Sequence, residues 1–233
     1  MENKINIYFN DYKNQYDKYL EIMESDIFRS LRVFDIRMRL SLDITVTFNG
    51  SISYTKTKGV RDTYSLIFNL LEVFFSLEAL RHCGHEMGYN SNNGPIQSFS
   101  LELIKNAQLN DDIKYYSEKL KSLCKSKSFY NNMNQYLNRF INDQRIKSNI
   151  IKENIRNIIT YLETKDFELS GREFIALAYA ERNMYVHNGE TARMGMNNYN
   201  HRKEILNILY EYISIFTLKI ITYILKNEIS KNG

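Results

Sequence analysis

Apolar residues recur every three or four positions through residues 3–27, which is the spacing of one face of an α-helix. Lysine and aspartate occupy much of the opposite face. The pattern predicts an amphipathic first helix that packs one stripe onto the core, with these members: Ile5, Tyr8, Phe9, Tyr12, Tyr16, Tyr19, Leu20, Met23 and Ile27.

The pattern changes to a period of two between Phe34 and Phe48, where apolar and polar residues alternate. This alternation is typical of a half-buried β-strand. Asn49-Gly50 follows, and then Ile52 and Tyr54 alternate with serines, which indicates a β-hairpin near residues 33–56. A two-residue loop would put the apolar residues of the two arms on opposite faces. A three-residue loop, 49–51, keeps them on one face and is the preferred register.

Helical spacing returns at Asp62 and continues to the end of the chain. The segment from Asp62, ended by Gly84 and Gly88, carries apolar residues on nearly every side and is predicted to be the central buried helix. A loop covers 89–97. Further helices are predicted over 98–107, 110–125, 128–165 with a break near 142–143, 172–187 and 201–229, with a turn at 166–170 and a polar loop at 190–200. The expected fold is mainly α, one helical bundle over residues 1–233 with an inserted hairpin.

Composition narrows the class of protein. The chain has 233 residues, two cysteines and a net charge of +4, which fits a reducing compartment and is compatible with a polyanionic partner. No apolar run follows the first four residues, so a secretory signal is not expected. Polar residues interrupt the apolar segment 212–225, so a membrane span is not expected either. The sequence predicts a cytoplasmic protein.

The densest group of chemically capable residues is the segment 181–189, Glu-Arg-Asn-Met-Tyr-Val-His-Asn-Gly. Asn183 and His187 are four apart and share a face of the predicted helix, while the long side chain of Arg182 can reach across from one side. Histidine is the usual acid or base at neutral pH, and arginine binds phosphate through paired hydrogen bonds. These residues could cleave a phosphodiester without a metal: the 2′-hydroxyl attacks, histidine moves protons and arginine stabilises the developing charge.

The order Arg-Asn-x-x-x-His, late in a helical domain and before a long last helix, resembles the HEPN family. The resemblance rests on Arg182, Asn183 and His187, which it implies to be catalytic. It implies a HEPN-like bundle and an endoribonuclease without a cofactor, which leaves a 2′,3′-cyclic phosphate and a 5′-hydroxyl. It also implies a homodimer with a shared active site and a role in toxin–antitoxin systems or phage defence. The hairpin lies outside the family pattern.

The chemistry separately favours two copies of the chain. Cleavage needs one group that accepts a proton and another that donates one, and a single histidine cannot do both in one step. A two-fold interface would supply a second His187. His201, at the start of the last helix, is the alternative second group within one chain.

Other residues are auxiliary candidates. Glu181 could orient the site, and Tyr185 could assist or simply pack. RNA-backbone contacts are predicted at these basic residues: Arg37, Arg39, Lys121, Lys125, Arg193 and Arg202. Runs of charge are more commonly solvated faces. His82, Cys83 and His85 lack paired Cys-x-x-Cys spacing, so no metal site is assigned.

Two other functions remain open. A non-catalytic module could bind RNA, a nucleotide or a protein partner through the same groove. Alternatively, the chain could be a regulatory or antitoxin subunit, and an enzyme of this kind could itself have an antitoxin or regulatory partner.

Overall fold

The computed structural model describes residues 4–22, 29–47, 58–91, 94, 96–164, 167–188 and 198–232, with the backbone alone for 187 and 188. Within these ranges the chain forms nine helices and no strand. They are α1 (Lys4–Ile22), α2 (Arg29–Asp43), α3 (Lys58–Glu86), α4 (Leu101–Asn106), α5 (Asn110–Leu123), α6 (Lys127–Asn142), α7 (Asn149–Glu163), α8 (Arg172–Asn188) and α9 (Tyr199–Asn232). The expectation of a mainly helical fold is confirmed.

The centre of the bundle is α9, rather than α3 as the sequence predicted. From Ile205 to Leu225 most side chains of α9 are buried, including the polar Ser214 and Thr217. The Thr217 hydroxyl donates to the carbonyl of Ile213 at 2.9 Å, so its burial leaves no unmade hydrogen bond. Thr217 is therefore accommodated in the core although it interrupts the apolar segment. Helices α1, α3, α5 and α8 pack around α9.

Both α3 and α9 are long and apolar enough to cross a membrane by length and composition. In the most apolar window of each helix, however, 56% of α3 and 78% of α9 is buried inside the protein. A central helix that is covered by its neighbours needs apolar residues on every side. Packing within the chain therefore accounts for much of the apolar character of both helices.

Helix α8 runs antiparallel to both of the long helices it packs against. Tyr179 and then Tyr185 of α8 meet Phe74 and then Phe68 of α3, each pair with ring centres 5.7 Å apart. On the α9 side, Phe174 contacts Tyr212 at 4.8 Å between ring centres. The end of α8 therefore lies near the beginning of α9.

The predicted first strand of the hairpin is wrong: residues 34–43 belong to helix α2. Two periodicities coincide in this segment. The residues that are buried, Leu31, Phe34, Met38 and Ser41, are spaced by three, four and three, as on one face of a helix. The alternating set is split between core and solvent, since Ile36 is 57% exposed and Phe34 is fully buried. An ion pair from Arg39 to Asp35, four residues apart, adds support that only a helix provides.

The structure describes little of the rest of the predicted hairpin. Residues 44–47 have no regular secondary structure. The predicted turn at 49–51 and the second arm, with Ile52 and Tyr54, lie outside the described residues, as do Met23 and Ile27 of the first predicted helix.

The remaining helices are confirmed, with shifted ends. The predicted break near 142–143 is the end of α6, and α7 begins at Asn149. Gly84 lies inside α3 rather than at its end, and the chain leaves the helix through Gly88, whose φ is +77°. Glycine adopts this left-handed conformation without steric cost.

A pair of truncations in α2 distinguishes the helix from the alternating strand. Met38→Ala should lower the free energy of unfolding by about 2–5 kcal/mol, because it opens a cavity in the core. Ile36→Ala should change it by about 0.5 kcal/mol or less, because that side chain is exposed. Urea denaturation measures both. Equal losses would instead indicate that the two residues share a buried face, as in a strand.

Candidate active site

Helix α8 begins inside the protein and reaches the surface in its last turns. Its start is fixed by Ser170 and Glu173, because the Glu173 carboxylate accepts from the backbone N–H of Ser170 at 3.0 Å. The Ser170 hydroxyl also donates to this carboxylate, at 3.0 Å. The Ser-x-x-Glu spacing, which can be read from the sequence, thus supplies the half of a capping box in which the glutamate reaches back to the serine. Residues 173–178 are buried, whereas Arg182, Asn183 and Tyr185 are partly exposed and Val186 is 47% exposed. The chemically capable residues of the segment 181–186 therefore lie where the helix emerges from the core.

Arg182 is held by its neighbour and by an aromatic ring. Its Nη1 donates to Oδ1 of Asn183 at 2.9 Å. Its guanidinium carbon lies 5.8 Å from the ring centre of Phe75 on α3, within the range of a cation–π contact. Its Nε is buried and has no hydrogen-bond partner among the described residues. Arg182 is thus oriented by contacts on one side of its guanidinium group.

A second arginine approaches the same ring. The guanidinium carbon of Arg37, on α2, lies 5.2 Å from the centre of Phe75. The two guanidinium carbons are therefore at most about 11 Å apart, the sum of 5.2 and 5.8 Å. Glu72 accepts from Nη1 of Arg37 through both carboxylate oxygens, at 3.0 and 3.2 Å. The fold thus brings Arg37, one of the predicted RNA contacts, to the motif.

Glu181, next to Arg182, forms a buried ion pair. Its carboxylate accepts from Nη2 of Arg202 on α9 at 2.9 Å, and both side chains are almost fully buried. Arg202 was predicted to contact RNA from the surface, but it is fully buried and so does not present its charge to a ligand. Its place is structural: with Glu181 it joins α8 to α9 immediately beside the motif.

Tyr185 packs against α3. Its ring meets the edge of Phe68 with centres 5.7 Å apart, and burial raises the pKa of its phenol. The phenol therefore stays protonated at neutral pH, which removes it as a base there. Of the two roles considered for Tyr185, the geometry favours packing.

The backbone of His187 lies in the last turn of α8, on a continuous helix with Asn183 one turn before it. Its side chain lies outside the described part of the structure, as does the whole of Arg193. The helical backbone through 183 and 187 preserves the spacing that places these two positions on one face.

His201 faces a different helix. Its Nδ1 lies 2.8 Å from the amide nitrogen of Asn132 on α6, and its ring packs on Phe129 with centres 4.9 Å apart. An amide that donates to Nδ1 leaves Nε2 as the ring nitrogen that carries a proton. The described contacts of His201 are thus to α6, and none links it to Arg182.

The other predicted RNA contacts are dispersed. Arg39 is turned toward α1, where it pairs with Asp35 at 2.9 Å and lies 5.4 Å from the ring centre of Phe9. Lys121 donates to the carbonyl of Thr164 at 3.0 Å, in a groove of about 710 Å³ lined by α4, α5 and the end of α7. Lys125 is exposed just after α5. The described contacts of these three residues do not join the motif.

Among the described residues, no group of three or more histidine, cysteine, aspartate or glutamate side chains is arranged to hold a metal ion. Cys83 is fully buried, and burial raises the pKa of its thiol to about 12. A thiol with this pKa is protonated at neutral pH and is a poor metal ligand. His85 instead contacts the backbone carbonyl of Asn90.

Three residues near the motif were missed by reasoning from the sequence. Phe75 and Glu72 both lie in the segment that the sequence predicts to be the central buried helix, where neither stands out as a functional residue. Arg145, between α6 and α7, brings its Nη2 to 3.8 Å from the sulfur of Met184. Each lies far from the motif along the chain, so no local spacing could have revealed it.

Comparison with protein-family models, with curated proteins and with solved structures finds no match to this chain.

The buried pair between α8 and α9 can be tested by stability. Arg202→Met should lower the free energy of unfolding by about 3–5 kcal/mol, because it leaves the buried Glu181 carboxylate without its cation. The control is the adjacent Lys203→Met, which breaks an exposed pair with Asp62 and should cost about 1 kcal/mol or less. Urea denaturation compares the two, and an Arg202→Met loss no larger than that of the control would contradict the structural role.

Proposed function

We propose that this protein is a metal-independent endoribonuclease with a HEPN-like active site at Arg182, Asn183 and His187. The observation that carries the proposal is the position of Arg182 and Asn183 at the emergent end of α8, bonded to each other and backed by Phe75. A buried helix that ends in an oriented cation, an amide and a histidine has the parts for phosphodiester cleavage.

The proposed reaction is an internal transfer at phosphorus. The ribose 2′-oxygen forms a bond to the adjacent phosphorus, and the bond from phosphorus to the 5′-oxygen of the next nucleotide breaks. One His187 accepts the proton of the 2′-hydroxyl, and a second imidazole donates a proton to the departing 5′-oxygen. Arg182 stabilises the charge on the non-bridging oxygens. The products are a 2′,3′-cyclic phosphate and a 5′-hydroxyl.

The second imidazole comes from a second copy of the chain. His201 is engaged with Asn132 and Phe129 on α6, which disfavours it as the second group. Val186 is 47% exposed, one turn after Arg182, and offers an apolar contact beside the motif. A two-fold dimer across this end of α8 would bring two copies of His187 to one shared site.

The proposed reaction also indicates a substrate class, and the resemblance to the HEPN family indicates a cellular role. The ligand is RNA, because the chemistry needs a 2′-hydroxyl. We place the enzyme in the cytoplasm, in a toxin or phage-defence system where an antitoxin or other regulatory partner would hold its activity in check.

A second candidate is a non-catalytic module that binds RNA, a nucleotide or a protein partner at this surface. The bond from Arg182 to Asn183 favours it, because this bond occupies one of the donors that an active arginine would direct at phosphate. Catalysis then depends on the Nη2 group of Arg182, which has no hydrogen-bond partner among the described residues, or on exchange of Asn183 for substrate at Nη1.

The enzyme proposal predicts cleavage of single-stranded RNA in the presence of EDTA. Arg182→Ala and His187→Ala should each reduce the rate by about 100-fold or more, the usual contribution of a charge-stabilising or proton-transferring group. The products should accept phosphate at their 5′ ends from a kinase without prior dephosphorylation. Gel analysis of end-labelled RNA measures the rate.

The control for this experiment is Arg156→Ala, which removes an exposed charge on α7 and should leave the rate within two-fold of wild type. Cleavage by His187→Ala at the wild-type rate would contradict the assignment. Binding of RNA without cleavage by the wild type would favour the non-catalytic module.

The shared site predicts that the active species is a dimer. Sedimentation velocity should show a dimer, and an excess of His187→Ala protein should inhibit wild type by forming mixed dimers that lack one imidazole. An active monomer would contradict the shared site and make His201 the second group.

A further inference from the structure

We propose that Arg37 and Arg182 together form a binding site for the RNA backbone across Phe75, where α2, α3 and α8 meet. The kind of ligand rests on the proposed function, while the location rests on geometry alone. The site takes phosphodiester groups beside the position of cleavage, and it makes Arg37 a binding residue rather than a catalytic one.

The first observation is that Arg37 and Arg182 both contact the ring of Phe75. Phe75 is partly buried in the core, and both guanidinium carbons lie within 6 Å of its ring centre. Two cations close together repel each other, and the negative face of an aromatic ring offsets part of that repulsion. Contact with the ring also restrains both side chains, so less side-chain entropy is lost when a ligand binds.

Available hydrogen-bond donors are the second observation. Within the described residues, Glu72 engages only Nη1 of Arg37, and Asn183 engages only Nη1 of Arg182. The Nη2 groups of both arginines therefore have no described hydrogen-bond partner. Guanidinium groups bind phosphate oxygens through such N–H groups, with charge-assisted bonds that are stronger than neutral ones.

The third observation is the net charge of the cluster. Glu72 offsets one of the two positive charges, so the cluster of Arg37, Glu72 and Arg182 carries a net charge of about +1. The carboxylate of Glu72 holds Arg37 in the way a phosphate would, and so keeps the guanidinium oriented before RNA arrives. It also repels the ligand, so its removal should strengthen binding.

Arg39 supplies a matched control. Its side chain is 40% exposed and that of Arg37 is 41% exposed, and each is paired with a carboxylate and lies over a phenylalanine. The two positions differ by about 200° around α2, so Arg39 lies toward α1 and Arg37 toward α3. Charge and exposure are matched and the contacts are of the same kind, although Arg39 pairs within α2 and Arg37 pairs with α3. The difference that the test exploits is the proximity of Arg37 to Arg182.

The test uses a fluorescent 2′-O-methyl oligonucleotide, which has the RNA backbone but cannot undergo attack by a 2′-hydroxyl. Fluorescence anisotropy should show binding about five-fold or more weaker for Arg37→Ala and less than two-fold weaker for Arg39→Ala. The slope of log affinity against log salt should fall by about 0.7 for Arg37→Ala, the value for one phosphate contact on a single strand. Glu72→Gln should bind more tightly than wild type.

Folding and function are separated by two further comparisons. Thermal unfolding should give similar losses for Arg37→Ala and Arg39→Ala, because each removes one ion pair and one ring contact. If the two variants weaken binding equally, or if wild type does not bind the oligonucleotide, the two-arginine site is wrong. Binding that depends on Arg37, in a protein that does not cut unmodified RNA, would instead sustain this site and contradict the endoribonuclease.

Discussion

The ion pair between Glu181 and Arg202 is the constraint on which the site depends. Burial of either charge alone is costly, so the two helices that carry them must keep these side chains together. Rotation of α8 about its axis would separate the pair, so the pair prevents that rotation. The directions in which the neighbouring side chains of α8 leave the helix are then fixed as well. Arg182 follows Glu181 directly, so a charge pair in the core determines where a cation at the surface points.

Burial along α8 explains why the motif lies at the end of the helix. The apolar segment from Phe174 to Ala178 is closed in by α3, α7 and α9. Polar side chains there would lose their hydration without compensation. Only after Ala180 does the helix offer a face where Arg182 and Asn183 can meet both the core and solvent. The same helix is therefore anchored at one end and available for chemistry at the other.

Local patterns in the sequence predicted most helices and the candidate motif, because helical periodicity and the Arg-Asn-x-x-x-His spacing are properties of neighbouring residues. They did not predict α2, since Phe34, Ile36 and Met38 satisfy a period of two while Phe34 and Met38 also satisfy the helical period. Packing resolves the conflict: Phe34 meets Tyr12 with ring centres 5.3 Å apart, which commits one face to the core. Tertiary packing selects the helix over the strand here, and the sequence of the segment alone does not reveal this.

The same limit applies to two arginines whose partners lie far away along the chain. Arg202 and Arg37 are both polar residues on helices, and nothing near either in the chain indicates a partner. Glu181 is 21 residues from Arg202, and Phe75 is 38 residues from Arg37. In the fold, Arg202 becomes part of the core that orients the motif, and Arg37 arrives beside Arg182. A short motif thus specifies which chemistry is possible, whereas the bundle determines which additional cations stand near it. Because an RNA backbone carries a charge at every nucleotide, these additional cations would decide how the RNA ligand we propose is held.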